Sequence, residues 1–323
     1  MPGSRTDYFL TRLSASLAHV PMLPANLGYV ETAAGRVHVF DSANEHGGKN
    51  NPADRPCIVF TPDGPNVVAH YRYLITLLAP HFRVVCFDMP GFGFSLPAAN
   101  YGHSLEQGAR AVLAVLDRLG IARATLAFSC ANGLYAIRAA QLAPARIASL
   151  MLSQTPSLQA MQAWAYRMIP RPLRLPVAGQ LITWLARRKL AQLWHRSALP
   201  AQTDARPFQQ PTRQSFDAGG CFCLAGVVQG LLRETALTDL PAPLAIPCTL
   251  IWGEQDRSHR MTPPESLREY LPQLDIRRFA DCGHFPDLEQ PERYAQEIIA
   301  HMKKIAAAPQ PGLAPTSFDS LRI

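Results

Sequence analysis

No stretch of the 323-residue chain approaches the ~20 consecutive apolar residues that span a bilayer. Near the start, Arg5 and Arg12 precede Leu13 to Val20, but Ser14, Ser16 and His19 interrupt that run, so a secretory signal is not expected. No run of five or more basic residues occurs, and the formal net charge is +7. The densest basic stretch, Arg187-Arg188-Lys189, lies inside an apolar segment and reads as a solvated helix face, not a nucleic-acid or membrane patch. Paired cysteine spacings are missing too. The seven cysteines form no disulfide framework, and Cys221-Phe-Cys223 is too close for a usual zinc pair and lacks a second pair. No metal and no cofactor are therefore expected, and free thiols point to a reducing, cytoplasmic setting. Gly91 and Gly93 have no third glycine at dinucleotide-binding spacing.

What the chain has is a large apolar content, 48% of residues, enough for one sizeable core. Its length suits one α/β domain with an insertion better than two domains. Residues 28–40 read as two alternating strands around a turn at Ala34-Gly35. Short buried strands then alternate with helices. Strands are expected at Cys57 to Thr61, Arg83 to Asp88, Thr125 to Ser129 and Ile147 to Leu152. Helices are expected at Tyr71 to Ala79, Ser104 to Leu119 and 131–143. Ser104 followed by Gln107 is a capping-box pattern. The alternation implies a mostly parallel, doubly wound sheet. It stops near Thr155 and resumes at Cys248 to Gly253, Leu274 to Phe279 and a helix from Pro291. The organisation expected is an α/β core over 27–156 and 241–305, a helical cap inserted at 157–240, a loose leader at 1–26 and a flexible tail at 306–323.

In such sheets ligands bind beyond the carboxyl ends of strands. Two residues stand there: Asp256 in Leu250-Ile-Trp-Gly-Glu-Gln-Asp256, and His284 in Cys-Gly-His284-Phe-Pro-Asp-Leu-Glu-Gln-Pro. A lone loop aspartate is usually a turn residue, and a lone histidine is more often structural than functional. Together the two stretches resemble the acid ("WGxxD") and base ("GHFPxxEQP") signatures of the α/β-hydrolase superfamily. Asp88-Met-Pro-Gly-Phe-Gly-Phe-Ser95 is similar to its "D-x-P-G-x-G-x-S" loop. The likeness covers about 28–156 and 241–305. It implies a nucleophile–acid–base triad in that chain order, with His284 as general base and Asp256 orienting it.

The nucleophile turn departs from the family's G-x-Nu-x-G. Two registers compete in Leu126-Ala-Phe-Ser-Cys-Ala-Asn-Gly133. An ungapped match puts Cys130 in the nucleophile slot, at the cost of Phe128 and Asn132 where glycine is expected. Shifting by one makes Ser129 the nucleophile but needs an insertion and a deletion. A cysteine at a helix N-terminus beside a histidine is expected to have a depressed pKa and high reactivity. Aspartate, required for dehalogenase or epoxide-opening chemistry, is absent from the slot. The oxyanion stretch is Thr61-Pro-Asp-Gly-Pro-Asn66, and the resemblance assigns the donors to the N–H groups of Gly64 and Ala131. Asp63 there either opposes a developing oxyanion or caps a turn. Trp164, Met168, Ile182, Trp184, Leu185 and Trp194 either line an apolar pocket or pack within the cap. The expected activity is acyl transfer from an ester, thioester or lactone to water or another acceptor, on a small apolar acyl substrate. The alternative is a ligand-binding member that has lost the chemistry.

Overall fold

The computed structural model describes residues 1–18, 27–45, 55–234 and 243–307. Strands β1 (Leu27–Thr32) and β2 (Gly35–Asp41) form the expected hairpin, paired antiparallel with Thr32 opposite Gly35. The run of alternating elements follows: β3 (Cys57–Thr61), α2 (Arg72–Leu78), β4 (Arg83–Phe87), two short strands β5 (Phe92–Gly93) and β6 (Leu96–Pro97), α3 (Leu105–Arg118), β7 (Ala124–Ser129), α4 (Ala131–Leu142) and β8 (Ile147–Ser153). After the insertion come β10 (Cys248–Gly253), β11 (Asp275–Phe279), the short α10 (Pro286–Glu289) and α11 (Pro291–Ala307). The main sheet runs β1-β2-β4-β3-β7-β8-β10-β11, parallel from β4 to β11, with β6 paired to β2.

Strand alternation divides the core in two. On one face Val59, Val85, Phe87, Leu126, Phe128, Leu150, Leu152 and Leu250 pack with α3 and α4. On the other Ile58, Phe60, Val84, Cys86, Ala127, Met151 and Ile251 pack with α2 and α11. Both faces are covered, so the strands read as continuous apolar runs, as parallel sheets require. The fold is the doubly wound α/β-hydrolase architecture.

Between β8 and β10 lie α5 (Leu158–Met168), α6 (Arg171–Arg174), α7 (Ala178–Ala198), α8 (Arg206–Asp217), β9 (Cys221–Phe222) and α9 (Leu224–Arg233). Two features differ from the sequence reading. Helix α8 forms despite Pro207 and Pro211; Pro207, in the first turn, removes only an N–H that has no helical partner, whereas Pro211 lies inside the helix. Strand β9 pairs with β5, stitching the inserted segment to the Asp88–Ser95 loop. In that loop the Asp88 carboxylate accepts the Val68 and Phe94 N–H groups at 3.0 and 3.1 Å. A Cβ on Gly93 (φ +51°) would lie 2.2 Å from the same carboxylate.

The segment read as a loose leader contains α1 (Pro2–Ser16), which is docked: Trp184 Nε1 donates to Ser14 Oγ at 2.8 Å and Arg12 Nη1 to Pro97 O at 3.0 Å. Its buried face is Gly3, Ser4, Asp7, Thr11 and Ser14. A polar buried face leaves no apolar periodicity to read. The expected tail lies, beyond Ala307, outside the described residues. Of the capping box only one half forms: Gln107 N–H donates to Ser104 Oγ at 3.2 Å, while the Gln107 side chain turns to Gly102 N–H and Asn100 O.

Helix α4 carries the turn that precedes it, and α3 fixes α4 by close approach. A Cβ on Gly108 would lie 2.2 Å from Tyr135 Cδ1 and 2.5 Å from its Cγ, too near the root of the ring to be relieved by rotation. Gly108→Ala gains about 1 kcal/mol of helix propensity but incurs an overpacking cost of about 1–3 kcal/mol. The expected net result is a lower Tm. A Tm unchanged or raised in a thermal melt refutes this packing.

Candidate active site

Cys130 links β7 to α4 with φ 51° and ψ −128°. A non-glycine residue held there costs about 1–3 kcal/mol, and the surroundings impose it. Its N–H donates to Ser153 O at 2.8 Å, while its carbonyl accepts from Gly133 N–H at 3.1 Å and Thr155 Oγ1 at 3.0 Å. A Cβ on Gly133 would lie 2.1 Å from Thr155 Oγ1, so a glycine is required one residue later than the family pattern puts it. The positions lacking glycine are accommodated differently. Phe128 points into the core against Phe87. Asn132 Nδ2 donates to Pro62 O at 3.0 Å, tying the turn to the Thr61–Asn66 loop.

Ser129 is the last residue of β7 and shares the strand face of Ala127, towards α2 and α11. Its hydroxyl donates to Asp287 Oδ2 at 3.1 Å, and Tyr71 donates to the same oxygen. Cys130 instead borders a cavity of about 50 Å³ with Asp63, Gly64, Ala131, Trp164, Trp194 and Leu231.

His284 and Asp256 meet beyond β11 and β10, with His284 Nδ1 2.5 Å from Asp256 Oδ2. The carboxylate is otherwise saturated. Oδ1 accepts Ser258 N–H (2.8 Å), Ser258 Oγ–H (2.6 Å) and His259 N–H (3.2 Å); Oδ2 also accepts Gln154 Nε2–H (2.7 Å). Burial alone would raise Asp256, but His284 and these donors hold it well below the ordinary carboxylate range. His284 responds in kind. Burial opposes its charge, yet Asp256, Cys130 and Asp63 lift it well above an ordinary histidine. Glu289 braces the turn around it, accepting the Gly283 and Phe285 N–H groups at 2.8 and 2.9 Å.

Asp63 faces the other ring nitrogen, its Oδ2 3.1 Å from His284 Nε2. Burial raises its pKa and so does the charge of Asp256, against the lowering pull of His284 and Cys130. The thiol of Cys130 does not follow the sequence expectation. Burial and the charge of Asp63 push it up to about 11, against the pull of His284 and the Ala131 N–H. The expectation treated the helix N-terminus and histidine as unopposed; complete burial and a carboxylate outweigh them. Burial raises the other six thiols as well.

Sequence reasoning missed Gln154, Ser258, His259, Asn132 and Asp287. His259 stacks between Trp164 and His284, with ring centroids 5.0 and 5.1 Å away. Burial drives it down to about 3, so it is neutral, and neither ring nitrogen has a hydrogen-bond partner among the described residues. Sγ of Cys130 and ring nitrogens of His259 and His284 lie within 4.8 Å of one another. Gln154 and Ser258 had a weak signal, being polar residues just past strand ends. Of the six cap residues considered for the pocket, only Trp164 and Trp194 line the cavity. Trp184 bonds to α1, and Met168, Ile182 and Leu185 are exposed.

This sheet order, with an acid and a base past late strands and a cysteine on a strained strand-to-helix turn, defines an α/β-hydrolase. Residues 58–297 match the model of the alpha/beta hydrolase family, and the chain belongs to that family. Its relatives include named hydrolases and an esterase. It is 28% identical over 240 residues to the dihydrolipoyllysine-residue acetyltransferase component of the acetoin cleaving system of Pseudomonas putida, covering 70% of this chain and 58% of that relative's length. A 2-hydroxymuconate semialdehyde hydrolase of Pseudomonas putida is 26% identical, over 74% of this chain and 81% of the relative. The crystal structure of an epoxide hydrolase from Vigna radiata superposes with a TM-score of 0.69 at 15% identity, covering 86% and 98% of the two chains; that likeness is one of fold. Among the described residues no helix is long and apolar enough to cross a membrane.

The charge of Asp63 is a removable brake on the thiol. Asp63→Asn is expected to move the midpoint of the pH–rate profile for iodoacetamide alkylation of Cys130 downward from about 11, because no anion then opposes the thiolate. A midpoint that stays in place refutes the assigned contact.

Proposed function

We propose that the chain is an acyl hydrolase or acyltransferase acting on an ester, thioester or lactone through an acyl-Cys130 intermediate. One observation carries this reading: Cys130, at a strained turn, shares a buried cluster with the His284–Asp256 pair. His284 would take the thiol proton as Cys130 attacks the acyl carbon, and would return it to the leaving group. Asp256 would hold the imidazolium. The Gly64 and Ala131 N–H groups, on residues that border the same cavity, would receive the oxyanion. Asp63, whose carboxylate oxygen stands 3.1 Å from His284 Nε2, would balance the imidazolium as it forms. The named activities of the relatives include both an acetyltransferase component and hydrolases, which supports the class and leaves the acceptor open. A reducing cytoplasm fits seven free, buried cysteines.

The direction of Ser129 favours Cys130 as nucleophile. With p-nitrophenyl esters of short acids as probes, Cys130→Ala and His284→Ala are expected to lower kcat/KM by about a thousandfold or more, while Ser129→Ala retains most activity. The reverse order for residues 129 and 130 moves the nucleophile by one position. Full activity in all three variants removes covalent catalysis at this turn and leaves a non-covalent mechanism, whereas a wild type without activity is a ligand-binding member.

We further read 157–240 as a cap that sizes the acyl pocket. A cavity of about 50 Å³ is far below the several hundred Å³ of pockets for drug-sized ligands, so small acyl groups are expected. Leu231→Ala, which removes a lining side chain on α9, should raise kcat/KM for hexanoyl relative to acetyl esters. An unchanged ratio excludes α9 as a wall of the acyl site.

A further inference from the structure

Asp7, His103 and Cys223 form a second buried cluster, built from three distant parts of the chain: α1, the loop before α3, and the residue between β9 and α9. One carboxylate oxygen, one ring nitrogen and the thiol sulfur lie within 4.8 Å of one another. The three residues are 4%, 1% and 4% exposed. His103 Nε2 is buried and has no hydrogen-bond partner among the described residues, although its backbone sits at φ 57°, a left-handed conformation. Two glycines leave space around the cluster. A Cβ on Gly226 would stand 2.7 Å from Asp7 Oδ2 and 2.8 Å from His103 Nε2, and one on Gly91 would stand 3.0 Å from Cys223 Sγ. A cavity of about 20 Å³ borders Asp7, Gln180 and Cys223, room for a single water.

We propose that Asp7, His103 and Cys223 bind a divalent cation of the zinc class, with a water in the adjoining cavity completing four-coordination. Thiolate, imidazole and carboxylate together suit Zn²⁺ and do not suit Mg²⁺ or Ca²⁺, which take oxygen ligands. Bonds of about 2.0–2.3 Å to one zinc require the three ligand atoms to draw in by about an ångström. The charges balance: a thiolate and a carboxylate neutralise a dication, leaving no net charge in a buried site. Binding releases the Cys223 thiol proton, and any proton on Asp7, to solvent. Gln180 Nε2, 3.4 Å from Asp7 Oδ2, is placed to orient the carboxylate. The cation would pin α1 and the inserted segment to the core at one point. No spacing along the chain announces such a site, since each ligand comes from a different segment.

The test uses the full chain, stripped with chelator, titrated with ZnCl₂ by calorimetry and assayed for metal after dialysis. Co²⁺ in place of Zn²⁺ reports a thiolate ligand through its charge-transfer absorption. One tightly held equivalent is expected, retained in Cys130→Ala, which removes the competing active-site cluster. Affinity should fall at least about tenfold, the loss seen when even a ligand's supporting partner is removed, in both Cys223→Ser and the isosteric Asp7→Asn. Zinc should raise the Tm of the wild type but not of these variants. Retention of no zinc by the wild type overturns the proposal, as does wild-type affinity in Asp7→Asn or loss of binding in Cys130→Ala. Should Cys223→Ser fail to fold by circular dichroism, the wild type and Asp7→Asn decide alone.

Discussion

The site is organised by one interaction, the buried contact of His284 with Asp256. A buried carboxylate carries a desolvation cost of several kcal/mol, recovered only if its remaining lone pairs are engaged. The fold supplies those partners from two places, Gln154 past β8 and Ser258 with the His259 N–H from the turn after β10, while Glu289 of α10 holds the backbone on either side of His284. Much of the loop architecture at the carboxyl edge of the sheet follows from that requirement. The loops after β8, β10 and β11 must converge, because the acid, its supporting amide and the base are carried one on each.

A second constraint sets the reactivity. The surroundings that make His284 a strong base also exclude water from Cys130, and Asp63 adds negative potential close to the thiol. Under the proposed mechanism the nucleophile rests as a neutral thiol whose deprotonation is concerted with attack or follows substrate entry. A site of this kind is protected from adventitious oxidation, which selects exposed, low-pKa cysteines. It depends on the substrate to reorganise the hydrogen bond between Asp63 and His284.

The sheet, its helices on both faces and the meeting of Asp256 with His284 were legible because each has a local signature: apolar strand runs, helical spacing, and polar residues just past strand ends. What escaped did so for identifiable reasons. Helix α1 turns small and polar residues inward, so hydrophobic periodicity is silent there. Helix α8 was hidden by Pro207 and Pro211, of which only Pro207 lies in the first turn, where a proline is tolerated. The raised pKa of Cys130 depends on burial and on Asp63, 67 positions earlier in the chain. Gln154 and Ser258 act through tertiary contacts with Asp256. The Asp7–His103–Cys223 cluster is wholly a product of tertiary assembly.

The alternation of β7 carries a consequence for how such a site can change over generations. Ser129 and Cys130 are neighbours in the chain, yet their side chains serve opposite sides of the sheet: one hydroxyl belongs to the Tyr71–Asp287 network, one thiol to the cavity. A serine-based lineage cannot be reached by promoting the existing serine, because no small displacement carries its oxygen through the sheet. The accessible route is replacement at position 130 itself. The chain thus holds a serine and a cysteine side by side without their being interchangeable spares, and on the proposed mechanism the chemistry of the nucleophile can drift only at the one position that the turn exposes.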